Sequence, residues 1–300
     1  MNRRGFLKII TAGAAGVMAS NPFGSEALAA SAERRATGLP KKNRVSQDSR
    51  DDDLDSYLHK VRYFNEDHPD DVYLKEEQLD LLNSALRRFN RIQKLIGFGN
   101  FYVIDFDQAV YLARTQTEIE PFTVEELNFL EQLFYASASD YGFYGDKPLR
   151  NLTDRVPINE VVKLSGTGNY LFRGQPEAIY QHLRKELGDQ VVLTSGVRSV
   201  IKQFQLFLTK VSESDGNLSR ASRSLAPPGY SYHGVSDFDV GQAGYGAFNF
   251  TERFITTPVF KRLRDLGYLR LRYPRDNLLG VRFEPWHIKV NFQADSVGRI

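Results

Sequence analysis

Apolar residues first recur with a clear period at Leu79, Leu82, Leu86, Phe89 and Ile96. Steps of three to four residues put them on one stripe, which predicts a long amphipathic helix starting near Leu74 and ending at Gly97 and Gly99. Phe101-Tyr102-Val103-Ile104 then predicts a short strand. Thr123 and Glu126 form a capping box for a second helix, with Val124, Leu127, Leu130 and Phe134 on its buried face. A third helix is predicted from Pro176 to Leu187, with proline in its first turn and Gly188 just past its end. Residues 56–188 thus read as a mostly helical region.

The second half changes period. Val191-Val192-Leu193-Thr194 reads as a buried strand, Ser199 to Ser212 as a helix, and Asn217 to Gly229 as a long polar loop. Phe238 to Val240 predicts a strand, and Pro258 to Leu266 a helix closed by Gly267. Two runs, Leu269 to Tyr273 and Val281 to Phe283, flank a turn around Pro274 to Asn277, and Ile288 to Phe292 alternates as a half-buried strand does. Hairpin-joined strands with helices beside them define an α+β domain on an antiparallel sheet, here residues 189–300.

The N-terminus carries a different signal. Arg3-Arg4-Gly5-Phe6-Leu7-Lys8 precedes an apolar run from Ile9 to Ala19, and Ala27-Leu28-Ala29 offers small residues for cleavage. The order matches a twin-arginine signal peptide over residues 1–29, with the Tat translocase as partner and the periplasm or cell envelope as destination. Residues 30–55 are polar, end in Asp51-Asp52-Asp53 and lack an apolar period, so they read as a flexible linker. No later segment is apolar enough to span a membrane, so the mature chain is expected to have no transmembrane span. The whole chain has 39 Lys+Arg against 37 Asp+Glu. Removing Arg3, Arg4, Lys8 and Glu26 leaves 36 of each, a balance that argues against a nucleic-acid partner. There is no cysteine, so any metal must be held by His, Asp or Glu.

Of the five histidines, His59 and His68 lie in or near the linker, and His182 sits in a predicted helix without a ligand-type neighbour. His233 and His287 are better placed for chemistry. His233 lies in Ser231-Tyr232-His233, shortly before Asp237 and Asp239, and His287 follows Glu284-Pro285-Trp286. A catalytic zinc site needs three protein ligands, an open position and a carboxylate to take a proton from water, and these two segments contain those parts. Gly97-Phe98-Gly99 and Gly166-Thr167-Gly168 lack the lysine and context of phosphate loops and read as turns. Tyr230, Tyr232 and Trp286 are candidates for lining a substrate cleft.

Together with Ser195-Gly196-Val197-Arg198-Ser199 and Gln203, the two segments resemble, in order, the three motifs of the zinc D-alanyl-D-alanine carboxypeptidases and dipeptidases of the VanY and VanX type, peptidase family M15. The resemblance spans about Val191 to Phe292. It implies a Hedgehog/D,D-peptidase-like zinc domain in which His233, Asp239 and His287 bind Zn2+, Glu284 is the catalytic base, and Arg198 assists catalysis by pairing with the substrate near its C-terminal carboxylate or the developing oxyanion. Arg198, Gln203 and Ser231 are expected to contact the substrate. Five residues separate His233 from Asp239, where the family usually has six, so Asp237 stays open as an alternative ligand. Ser236 stands where the family usually has glycine. The implied activity is removal of the terminal D-Ala from peptidoglycan stem peptides. A D,D-dipeptidase, a wall endopeptidase and a non-catalytic peptidoglycan-binding module are the alternatives.

Overall fold

The computed structural model describes residues 47–290, so the twin-arginine segment and most of the proposed linker lie outside the described residues. The described residues form one compact unit. The chain enters it through α1 (Gln47–Arg62) and α2 (Glu76–Ile96). A single turn α3 (Phe98–Phe101), α4 (Phe106–Thr115) and α5 (Val124–Tyr135) follow. A hairpin of β1 (Val161–Lys163) and β2 (Tyr170–Phe172) precedes α6 (Gln175–Leu187). After it come β3 (Val191–Ser195), α7 (Val200–Glu213), α8 (Leu218–Ser224), β4 (Phe238–Gln242), α9 (Pro258–Asp265) and β5 (His287–Ile288). The architecture is α+β, with the helices concentrated before residue 188. Among the described residues, no helix is long and apolar enough to cross a membrane.

The sheet that matters for function is β3-β4-β5, antiparallel throughout. Its register pairs Leu193 with Val240, Ser195 with Asp239, and Asp239 with His287. Side chains alternate across a strand, so Phe238 and Val240 enter the core while Asp239 points to the other face. That core joins Leu193, Phe238, Val240, Trp286 and Ile288 to Tyr180 and Leu183 of α6 and Val259 and Leu263 of α9. The second packing surface is helical. α2 lies against α7 and α5, and Phe204 of α7 meets Phe89 and Phe134 with ring centres 6.3 Å apart in each case. Thr123 and Glu126 make the reciprocal capping bonds that their spacing predicts.

Five expectations need correction. The segment at Gln47–Asp55, expected to be linker, belongs to α1; Leu58 and Val61 turn inward, and basic residues fill its last turn, where the helix dipole favours them. Phe101 to Ile104 form a helical turn and a bend in place of a strand; Phe101 is fully buried, and the Tyr102 carbonyl caps the Ser199 N–H. The polar stretch from Asn217 contains α8, started by the Asn217 side chain accepting from Arg220 N–H. Its polarity is compatible with burial because Arg223 makes two bonds to Asp71. The hairpin β1–β2 interrupts the region expected to be mostly helical. Leu269 to Tyr273 and Val281 to Phe283 form no regular strands; one bridge, Leu271 to Ile288, is all they add to the sheet.

Candidate metal centre

Three segments converge at the end of the sheet. β4 presents Asp239, the turn before β5 presents Glu284, β5 itself presents His287, and a short 3-10 turn at Tyr232–Gly234 presents His233. His233, Asp239 and His287 are all buried, and one ligand atom from each lies within 4.8 Å of the others. Nε2 of His233 and Nδ1 of His287 are each 3.2 Å from Oδ1 of Asp239. The two rings stand edge to face with centres 4.9 Å apart.

The outer bonds set which nitrogen faces inward. Nδ1 of His233 is 2.7 Å from the Gly196 carbonyl, which can only accept, so Nδ1 carries the hydrogen and Nε2 presents its lone pair. Gly196 must be glycine, because a Cβ there would run into the carbonyl oxygen of Tyr170. Nε2 of His287 is 2.8 Å from Oδ2 of Asp237, which leaves Nδ1 toward Asp239. Asp237 also accepts from Arg272 Nε and from Val290 N–H. Asp237 and Asp239 therefore lie on one side, as their spacing predicts, with different places: Asp239 in the cluster, Asp237 behind His287.

The donor set fits a zinc ion. Nε2 of His233 and Oδ1 of Asp239 are buried without a hydrogen-bond partner, a costly state for polar atoms unless something binds them. Donors about 2.0–2.2 Å from a tetrahedral ion sit about 3.3–3.6 Å apart, close to the two 3.2 Å spacings that each imidazole makes to Oδ1 of Asp239. The other oxygen of Asp239 accepts from Arg198 Nη2 at 2.6 Å, and Arg198 Nε donates to Ser195 Oγ at 2.8 Å. Burial opposes ionisation of Asp239, but His233 and Arg198 outweigh it and hold its pKa well below the usual carboxylate range. Burial together with Arg198 keeps His233 below its ordinary value. Burial also disfavours the cationic form of His287, yet Asp237 and Asp239 beside it raise it to about 9. A metal cation at Nδ1 therefore competes with a proton.

Glu284 lies beside the cluster, Oε2 3.7 Å from Nδ1 of His287. Burial raises its pKa to about 7. The cluster opens into a cleft of about 250 Å³ lined in part by Arg198, Gln203, Ser231, Phe250, Glu284 and Trp286. The Gln203 amide is engaged at both ends, donating to the Arg198 carbonyl and accepting from Gly229 N–H, each at 2.9 Å. Trp286 lines the cleft. Tyr230 instead packs on Phe143, and Tyr232 lies under Arg272 and donates to Asp146. His59 and His68 lie near each other at α1, and His182 packs on Tyr268. Tyr102, Lys202 and Tyr273 also line the cleft without having been expected there. Lys202 follows Arg198 by four residues, a spacing that could have flagged it, whereas nothing local marks Tyr102 or Tyr273.

A buried His-Asp-His cluster on a small antiparallel sheet, opening into a polar cleft, makes this half of the chain an α+β domain with a candidate metal site. Residues 177–291 match the family described as VanY, D-alanyl-D-alanine carboxypeptidase. Among solved structures, the chain is similar to the vancomycin-resistance D,D-pentapeptidase VanY from a VanB-type cassette in complex with Zn(II), at 28% identity and a TM-score of 0.34, covering 43% of this chain and 76% of that one. It is similar to VanYB in complex with D-alanine-D-alanine at 27% identity and a TM-score of 0.35, covering 46% and 82%. The LD-carboxypeptidase LdcB matches at 24% identity and a TM-score of 0.34, covering 43% and 62%. No curated protein sequence matches the chain at a significant level.

Proposed function

We propose that this protein is a zinc-dependent D,D-carboxypeptidase that removes the terminal D-Ala from peptidoglycan stem peptides. The observation that carries the reading is the pair of orphaned, buried donor atoms, His233 Nε2 and Asp239 Oδ1, facing His287 Nδ1 with the Glu284 carboxyl beside them. The VanY-family match over residues 177–291 supports the same class of reaction.

His233, Asp239 and His287 are the residues that would hold the ion. When bound, zinc supplies Lewis acidity toward a water molecule and the scissile carbonyl. Glu284 takes the proton from that water at its carboxylate and later delivers it to the leaving amine of D-Ala. A pKa of about 7 suits both steps, because the group can accept and release a proton near neutral pH. Asp237 keeps the His287 ring oriented through Nε2. Arg198 places positive charge at the cleft wall, where it balances Asp239 and favours developing negative charge on the substrate oxygen. Ser231 and Gln203 line the same cleft and complete the proposed substrate contacts.

The Arg3-Arg4 segment supports a location in the periplasm or cell envelope after Tat export. The decisive assay is release of D-Ala from a stem pentapeptide by the mature protein, with and without zinc. Zinc-dependent release that disappears in Glu284→Ala supports the proposal. Tight zinc binding with no product, and no difference in Glu284→Ala, would leave a peptidoglycan-binding module.

A further inference from the structure

The cleft beside the metal centre holds two cations in different circumstances. Arg198 is engaged, with Asp239 on one nitrogen and Ser195 on another. Lys202 is 7% exposed and lines the same cleft. Among the described residues, no carboxylate forms an ion pair with it. Its ammonium donates to the neutral Oε1 of Gln205 at 2.8 Å and lies 4.9 Å from the centre of the Tyr102 ring. Gln205 passes the network on to Asn90 and Gln93 of α2, and both are neutral. Burying an ammonium is costly unless an opposite charge meets it. Burial, reinforced by Arg198, lowers the Lys202 pKa to about 8, so the group stays mostly charged at neutral pH. A pocket that keeps such a cation against its wall is built for an anion.

We infer that Lys202 is a specificity-determining residue that pairs with the free C-terminal carboxylate of the substrate, while Arg198 is committed to holding Asp239. The inference rests on the D,D-carboxypeptidase reading and deepens it, since it names the chain end as the feature selected. An amidated end or an internal cross-link offers no charge for Lys202, so the site discriminates against both. A purely structural lysine, stapling α7 to α2 through Gln205, would affect acid and amide ligands alike.

The test uses the zinc-loaded mature protein and two probes, N-acetyl-D-Ala-D-Ala and its C-terminal amide, with binding followed by calorimetry in a Glu284→Gln background so that the acid is not cleaved, and turnover followed with Glu284 intact. Wild type is expected to prefer the acid by about 10- to 100-fold, the scale of one charge-assisted contact. K202M should collapse that ratio toward unity, and K202R should restore most of it. K202Q, able to keep the bond to Gln205, serves as a second neutral variant should K202M melt early. A wild-type ratio near one, or neutral variants that weaken both probes equally, would overturn the assignment. D-Ala release from the acid probe is measured in parallel. Its absence would count against the carboxypeptidase reading, while the binding ratio still decides the role of Lys202.

Discussion

Oδ2 of Asp237 lies 2.8 Å from Nε2 of His287 and turns Nδ1 of the same ring toward Asp239. A carboxylate behind a metal-binding imidazole fixes its tautomer and raises its basicity. Asp237→Asn should therefore keep all three cluster residues yet weaken zinc about 10- to 100-fold. Competition against a chelator of known affinity measures this directly, and unchanged affinity would remove Asp237 from the site.

Glu284 separates binding from turnover. Glu284→Gln should retain zinc at one equivalent by mass spectrometry while D-Ala release falls at least about 100-fold, as expected for loss of a general base. Loss of zinc in this variant would instead make Glu284 a ligand.

Gly196 ties the His233 turn to the sheet through its carbonyl. Because a Cβ would collide with the Tyr170 backbone, Gly196→Ala forces a shift and should cost about 1–3 kcal/mol. Urea denaturation gives the stability change, and zinc affinity should fall with it as the carbonyl leaves His233.

Asp71 predicts an acid limb in stability. Burial alone would raise its pKa, but Arg223, Asn217 and the His68 N–H together lower it from 3.8 to about 2. The folded value lies below the unfolded one, so the stabilisation is present above about pH 4 and is lost as pH falls through 2. The side chain is 2% exposed, and the shift corresponds to about 2 kcal/mol. Asp71→Asn should lower the neutral-pH melting temperature and flatten the fall in stability between pH 5 and pH 2.

The helical half belongs to the same packed unit as the metal centre. Phe89 and Phe134 cover Phe204, and Tyr102 forms part of the cleft wall. A fragment of residues 189–300 is therefore expected to show no cooperative thermal transition by circular dichroism. A cooperative melt with retained zinc binding would show that the helices merely sit against a self-sufficient domain.

What the sequence disclosed follows from which forces are local. The stripe on α2, the Thr123–Glu126 box and the strand at Val191 depend on neighbours a few residues apart, and they stand as expected. His233 and His287 stood out in the sequence because each lies in a short segment with an acidic residue close by, while the choice between Asp237 and Asp239 stayed open. The misjudged stretches were those whose polarity is satisfied at a distance. α8 looked like a solvent loop because Arg223 finds Asp71 more than a hundred residues away. Tyr102 escaped notice because its place in the cleft comes from packing between α3 and the start of α7. The separate places of Asp237 and Asp239 needed coordinates, since their alternation alone puts both on one side.

The hold of Arg198 on Oδ2 of Asp239 has a consequence for metal choice. A cation entering the cluster meets one free carboxylate oxygen, so Asp239 is held to monodentate coordination. Calcium, which gathers six to eight oxygens and favours bidentate carboxylates, is poorly served by two imidazoles and one oxygen. A small, strongly polarising ion content with four donors loses nothing, and it keeps coordination sites free for the molecules that react.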